Sequence, residues 1–250
     1  MLTKRIIPVL LLKNGHLVRS QYFNFHQIIG NPLIQLERYN AWDLDELIYL
    51  DISPEANHQT LEILRLIAKK CFMPLTFGGG IKSLHDIEQR LNLGADKITI
   101  NTQAVLNPEL ITKAAHEFGQ QAIIVSIDIK CHSNGIYEVY THGGRVASKL
   151  CPFHWAKEAQ DRGAGEIIVQ SIDKDGSTLG YDTSVINEIA QTTSIPVIAC
   201  SGASNAEDIA NILTQTDVSA AAAANLFLFQ ELSYWNTKQA LIDKNINIRS

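Results

Sequence analysis

A half-length internal repeat constrains this chain more than any other feature. Glu46-Leu-Ile-Tyr-Leu-Asp51 is followed by Pro74-Leu-Thr-Phe-Gly78-Gly-Gly80-Ile and then by Lys97-Ile-Thr-Ile-Asn101-Thr102. In the same way Glu166-Ile-Ile-Val-Gln-Ser-Ile-Asp173 is followed by Pro196-Val-Ile-Ala-Cys-Ser-Gly202-Ala and then by Ala220-Ala-Ala-Ala-Ala-Asn225. The two sets lie 120 residues apart at the glutamates and 122 apart at Gly80 and Gly202, close to half of the 250 residues. Such an offset implies two copies of one half-structure. Each copy ends its strands in small or polar residues, which is how a backbone approaches an anion, so two copies imply two anion sites.

Short apolar runs rich in β-branched residues alternate with amphipathic stretches. The strands expected are Arg5–Leu12, Glu46–Ile52, Met73–Phe77, Lys97–Ile100, Ala122–Ile129, Glu166–Ser171, Pro196–Ala199 and Val218–Ala221. Helical patterns between them include Ser83–Leu93, Asn107–Phe118, Phe153–Arg162, Thr183–Gln191 and Asn205–Thr214. Strands without polar alternation are buried on both faces and suit a parallel sheet. Eight strand–helix units in one domain, 1–250, predict a (β/α)8 TIM barrel of two half-barrels, about 1–120 and 121–250; a doubly wound open sheet is the alternative. Ser83 and Asn205 read as helix caps, and Pro108 as a first helical residue. The formal charge of −5 argues against a nucleic-acid partner. Cys71, Cys131, Cys151 and Cys200 form no CxxC pair and read as reduced thiols of a cytoplasmic protein. Ile6–Leu12 is too short to span a membrane, and no cleavage site follows it. The histidines show no ligand spacing and read as surface or loop residues, so no metal or other cofactor is expected.

At the strand ends, Gly78-Gly79-Gly80 lets backbone N–H groups reach an anion beside a helix N-terminus, and Asn101 and Thr102 end the next strand. Asp175-Gly176-Ser177, Gly202 and Asn225 hold the equivalent places in the second half. Two phosphates at opposite rims suit a substrate phosphorylated at both ends. The first strands of the halves also align: Ile6 to Lys13 repeats as Ile123 to Lys130 at a constant offset of 117. Asp128 therefore sits within an apolar strand near its C-terminal end, where burying a carboxylate is costly without a role; general acid or base is that role. The aligned residue of the first half is Leu11, which transfers no proton. Asp51 and Asp173 also end strands, either orienting substrate or bracing loops. Arg5, Glu46, Lys97 and Glu166 each start a strand. Parallel strands bring them to one end of the barrel, where two cations and two anions can close a ring of salt bridges; by spacing alone this is first a stability network.

Leu2-Thr-Lys-Arg-Ile-Ile-Pro8, Leu50-Asp51-Ile52, Phe77-Gly-Gly-Gly-Ile81, Ile100-Asn101-Thr102, Val125-Ser-Ile-Asp128, Gly163-Ala-Gly-Glu166, Ser171-Ile-Asp-Lys-Asp-Gly176 and Gly180-Tyr-Asp182 together resemble the HisF family along essentially the whole chain. HisF is the cyclase subunit of imidazole glycerol phosphate synthase, a duplicated barrel that receives ammonia from a glutaminase subunit, HisH, at the N-terminal face. The resemblance implies that Arg5, Glu46, Lys97 and Glu166 are the ammonia gate. It implies phosphate or substrate contacts at Asp51, Gly80, Asn101 and Thr102 and at Asp175, Gly176, Gly202 and Asn225, and makes Asp128 one of two catalytic aspartates, the other falling at Leu11. Further departures are Arg19 for a lysine, Gln170 for a threonine, Asn225 for a serine, Cys200-Ser201-Gly202-Ala203 for Ser-Gly-Gly-Ala, and the His142–Lys149 loop. A retained gate with a drifted reaction face resembles the HisF paralogues of sugar amidation in surface-polysaccharide synthesis (the WbuZ type), which implies a separate sugar amidotransferase as a further partner. Three readings follow: ammonia passage for glycan amidation, a working cyclase of histidine biosynthesis, and a non-catalytic phosphate-binding scaffold that activates the glutaminase.

Overall fold

Strands that are apolar on both faces need cover on both sides, and the computed structural model provides it by closing the sheet on itself. It describes residues 3–54, 58–229 and 232–249. The elements are β1 (Arg5–Lys13), β2 (His16–Gln21), β3 (Phe25–Gly30), α1 (Pro32–Ala41), β4 (Leu47–Asp51), α2 (His58–Lys70), β5 (Leu75–Gly78), α3 (Leu84–Asn92), β6 (Lys97–Ile100), α4 (Thr102–Leu106), α5 (Glu109–Phe118), β7 (Ile123–Cys131), β8 (Tyr137–Thr141), β9 (Val146–Ala147), α6 (Pro152–Asp161), β10 (Glu166–Ser171), α7 (Thr183–Thr192), β11 (Val197–Cys200), α8 (Ala206–Gln215), β12 (Ala220–Ala223) and α9 (Ser233–Asp243). Among the described residues eight strands pair in parallel in the order β1–β4–β5–β6–β7–β10–β11–β12, and β12 returns to β1. The closing pair rules out the open sheet and makes this a (β/α)8 barrel. Each expected barrel strand is present, within two residues at either end.

Side-chain alternation divides the buried residues into two clusters. Ile6, Leu10, Leu12, Leu47, Tyr49, Phe77, Ile98, Val125 and Ile127 pack outward against the helices. Ile7, Val9, Leu11, Ile48, Ile124, Ile168, Ile198, Cys200, Ala220 and Ala222 fill the barrel interior. The helix entries follow the local chemistry. The Asp86 N–H donates to Ser83 Oγ (3.2 Å) while Lys82 N–H and Ser83 Oγ–H donate to the Asp86 carboxylate (3.0 and 2.8 Å). The Asp208 N–H donates to Asn205 Oδ1 at 3.0 Å. Pro108 sits one residue before α5, already in helical geometry.

Two excursions were not expected. After β1 the chain turns back as antiparallel β2 and β3, and after β7 it does so as β8 and β9. They lie at the same place in the two repeats, above the C-terminal ends of Leu11 and Asp128, since Leu11 pairs with Val18 and Asp128 with Tyr140. Of the histidines, His16 and His26 are strand residues of these excursions and His58, His85, His116 and His154 are helical, with His16, His85, His116 and His154 exposed at the surface.

Gly79 is at φ +111°, and a Cβ there would lie 2.0 Å from the Asp51 carbonyl oxygen. Gly79→Ala should therefore cost at least about 2 kcal/mol, lowering the melting temperature by roughly 4 °C or more; an unchanged melt would show that the loop moves freely off β4.

Candidate functional site

At the N-terminal ends of the strands the four charged residues close a ring. Arg5 Nη1 donates to Glu46 Oε2 at 2.6 Å and Nη2 to Glu166 Oε2 at 2.7 Å. Lys97 Nζ donates to Glu46 Oε1 at 2.9 Å and to Glu166 Oε1 at 2.6 Å. Each carboxylate thus bridges both cations, and each cation both carboxylates. Burial opposes the charged form of Glu166, but the attraction and hydrogen bonds of Arg5 and Lys97 outweigh it and hold its pKa below the usual value. Thr76 Oγ1 adds a bond to Glu46 Oε1 at 3.4 Å from above.

Beyond the ring the interior has two kinds of wall. β1, β4, β10, β11 and β12 present aliphatic side chains. β5, β6 and β7 present the buried hydroxyls of Thr76, Thr99 and Ser126, and the Thr99 hydroxyl has no hydrogen-bond partner. This polar wall leads to Asp128. The carboxyl of Asp128 is fully buried, with Oδ1 accepting from Ser126 Oγ (3.2 Å) and from Gln170 Nε2 (3.4 Å). Burial pushes its pKa up to about 7, the charge of Asp175 adding to the rise and the Ser126 and Gln170 hydrogen bonds opposing it. The group is therefore poised to give or take a proton near neutrality. Leu11 is buried in the interior cluster on β1.

The structure distributes the expected anion-binding residues unevenly. Gly80, at φ +64°, opens the loop after β5. Asn101 caps α4, but its side-chain amide donates to the Ser126 and Tyr140 carbonyls (3.1 and 3.4 Å). The Thr102 hydroxyl donates to Asn101 Oδ1 (3.2 Å) and accepts the His142 N–H (2.9 Å). These side chains brace the β8–β9 excursion. In the second half, Asp175 Oδ2 accepts from Ser20 Oγ (2.6 Å) and the Phe23 N–H (3.0 Å). Asn225 Nδ2 donates to the Ser20 carbonyl (3.3 Å), and a Cβ on Gly176 would lie 2.5 Å from that same oxygen. Asp175, Gly176 and Asn225 thus converge on Ser20 of β2 and hold that excursion down. Gly202, at φ +100°, packs directly on the Gly180 carbonyl. Asp51 and Asp173 take the bracing alternative: Asp51 Oδ1 accepts the Ser53 N–H and Asp173 Oδ2 the Cys131 N–H, each at 2.8 Å.

Sequence reasoning missed Ser20 as the anchor of the second rim and the contact between Lys13 Nζ and His26 Nδ1 (3.2 Å). No local signal marks either, because the antiparallel excursion that places them is itself weakly patterned. Among the described residues no group of three or more His, Cys, Asp or Glu side chains could hold a metal ion, and no helix is long and apolar enough to cross a membrane.

Comparison with known proteins places this geometry. A family model described as histidine biosynthesis protein matches residues 5–233. Over 251 aligned residues spanning all of both chains, the protein is 42% identical to the imidazole glycerol phosphate synthase subunit HisF of Natranaerobius thermophilus and 39% identical to that of Alkaliphilus metalliredigens. The HisF subunit of Bacillus cereus is 40% identical over the same span.

The environment of Asp128 makes a stability prediction. Its folded pKa lies above its unfolded value, so its contribution is complete below about pH 4 and is lost as pH rises towards about 7. A shift of three units corresponds to roughly 4 kcal/mol. Asp128→Asn should melt near the parent temperature at pH 4 and progressively above it up to pH 7; parallel melting curves at every pH would contradict the buried, proton-retaining carboxyl.

Proposed function

The chain belongs to the histidine biosynthesis protein family, within its HisF branch, and from that premise we propose that it is the barrel subunit of a glutamine amidotransferase complex. In this reading a HisH-like glutaminase docks at the N-terminal face, and ammonia passes through the barrel to the opposite face for amidation of a surface-glycan sugar. The ring of Arg5, Glu46, Lys97 and Glu166 is the observation that carries the proposal. It closes one end of an interior with an aliphatic wall, which disfavours ammonium because stripping an ion of water is costly, and leaves a path for neutral ammonia. If one of the four contacts parts, each carboxylate still keeps a cation. The hydroxyls of Thr76, Thr99 and Ser126 offer the passing molecule hydrogen bonds up to Asp128.

Glycan amidation is favoured over the ordinary cyclase reaction by Leu11. Ring closure on a bis-phosphorylated ribonucleotide requires several proton transfers, and the repeat that places Asp128 on β7 places an aliphatic side chain on β1. The anion loops of the two rims, around Gly80 and around Gly176, Gly202 and Asn225, would hold a phosphorylated ligand through backbone N–H groups, since the side chains nearby are engaged. A separate amidotransferase would then be the ammonia acceptor. The cyclase of histidine biosynthesis is the second reading, favoured by Asp128, whose carboxyl is tuned for acid–base work near neutral pH.

A steady-state assay with ammonium salt and the bis-phosphorylated aminoimidazole carboxamide ribonucleotide separates the two. The expected rate lies roughly 100-fold or more below that of an ordinary HisF subunit, the usual contribution of one acid–base group. Leu11→Asp should raise it. Turnover by the parent at the ordinary rate would refute the amidation reading in favour of the cyclase.

A further inference from the structure

Three strands carry an unbroken row of polar side chains across the reaction end of the barrel. Cys200 of β11 donates its thiol hydrogen to Gln170 Oε1, with Sγ 3.8 Å away, a long, weak bond of the kind a thiol makes. Gln170 of β10 turns its Nε2 towards β7, 3.0 Å from Ser126 Oγ and 3.4 Å from Asp128 Oδ1. Ser126 Oγ donates to the same Oδ1 at 3.2 Å. These contacts follow from register, since Gln170 pairs with Cys200 on one side and with Asp128 on the other. An amide can point either way; the orientation seen sets the NH2 towards the carboxyl, which when ionised only accepts, and the oxygen towards the thiol, which can donate to it. Oδ1 of Asp128 then faces two donors, whereas a proton on Oδ1 would itself need an acceptor. The proton of the neutral acid is consequently directed to Oδ2.

We propose that Gln170 is a positioning residue for Asp128: held by Cys200, its amide together with Ser126 occupies carboxyl Oδ1 and makes Oδ2 the oxygen that carries and delivers the proton. The arrangement couples the acid to a strand two places away in the barrel. It also distinguishes Gln170 from a space-filling residue, which would hold no preference between the two oxygens. Hydrogen bonds to the ionised form favour that form, so the amide also limits how far burial can raise the pKa of the carboxyl. The other titratable groups facing this carboxyl are Asp175, from the loop after β10, and Cys200, whose thiol burial pushes up to about 12 and which stays neutral throughout. Tyr140 on β8 pairs with Asp128 in register, with its ring against Lys130.

The inference rests on Asp128 being the acid of the site, and it is tested on the ligand-free protein by 13C NMR titration of aspartate-labelled side chains, with Asp128→Asn assigning the resonance. Gln170→Leu should move the Asp128 titration upward by about half a unit to one unit, one lost hydrogen bond to the charged form. Gln170→Asn, too short to reach Oδ1, should do the same and serves where the leucine variant does not fold. Cys200→Ala should shift the parent protein in the same direction by less, and should have no effect in the Gln170→Leu background, where there is no amide left to orient. An unmoved Asp128 titration in the Gln170 variants, or an equal effect of Cys200→Ala in both backgrounds, would overturn the proposal. Because the titration needs no turnover, failure of the ammonia assay leaves this result standing, and failure of the titration leaves that reading standing.

Discussion

Parallel closure of the sheet is the constraint on which the rest depends. The longest seam, between β7 and β10, pairs six residues from Glu166 with Ile124 to Ser171 with Ile129. A slip of one residue anywhere in such a ladder would turn every inward side chain outward. With the register set, Arg5, Glu46, Lys97 and Glu166 have no choice but to meet at one end of the barrel. Ser126, Asp128, Gln170 and Cys200 meet at the other for the same reason. Neither group is assembled by its own attraction: burial of the aliphatic residues between them places both.

Burial then acts on the two groups with opposite results. Glu166 and Asp128 are both withdrawn from water, which by itself favours the neutral acid in each. Glu166 is met by two cations, whose attraction holds its pKa below the usual value. Asp128 is met by a hydroxyl, an amide and the field of a second carboxylate, Asp175, so it keeps its proton to about pH 7. The same interior thus holds one carboxylate charged and the other neutral by its choice of partners.

Most of the fold was legible because buried parallel strands leave a strong signal: eight short apolar runs, most of them rich in β-branched residues, alternating with helical periods. The ring was legible as well, since identical positions at strand starts converge in any parallel barrel. The antiparallel excursions were not. β3 is largely exposed, and β9 spans only two residues. Their pairing comes from the strands they leave, and no periodicity of their own announces it. For that reason the contacts that Asn101, Thr102, Asp175 and Asn225 make with the excursions were not legible. Their residue types suit an anion, and in the structure the Asn101 amide, the Thr102 hydroxyl, Asp175 Oδ2 and Asn225 Nδ2 also secure the excursions. Gln170 was visible in the sequence solely as a departure from a family pattern; its meaning required the register that sets it between Cys200 and Asp128.

The unequal pair Leu11 and Asp128 also has an energetic logic. Asp175, raised in pKa by its own burial, already shares the reaction end with Asp128, and each buried carboxylate makes ionisation of the other harder. A third at position 11 would add repulsion to this end of the interior. Lys13 is one turn of the strand alternation above Leu11 and is engaged with His26. An aliphatic side chain at position 11 removes that burden and joins Val9 and Val18 in the interior cluster. Stability gained this way at a reaction face is commonly matched by loss of the chemistry that the strained group performed. The repeat thus keeps a carboxyl on β7 and an aliphatic side chain in the core on β1, while the four-charge ring at the other end is independent of that choice.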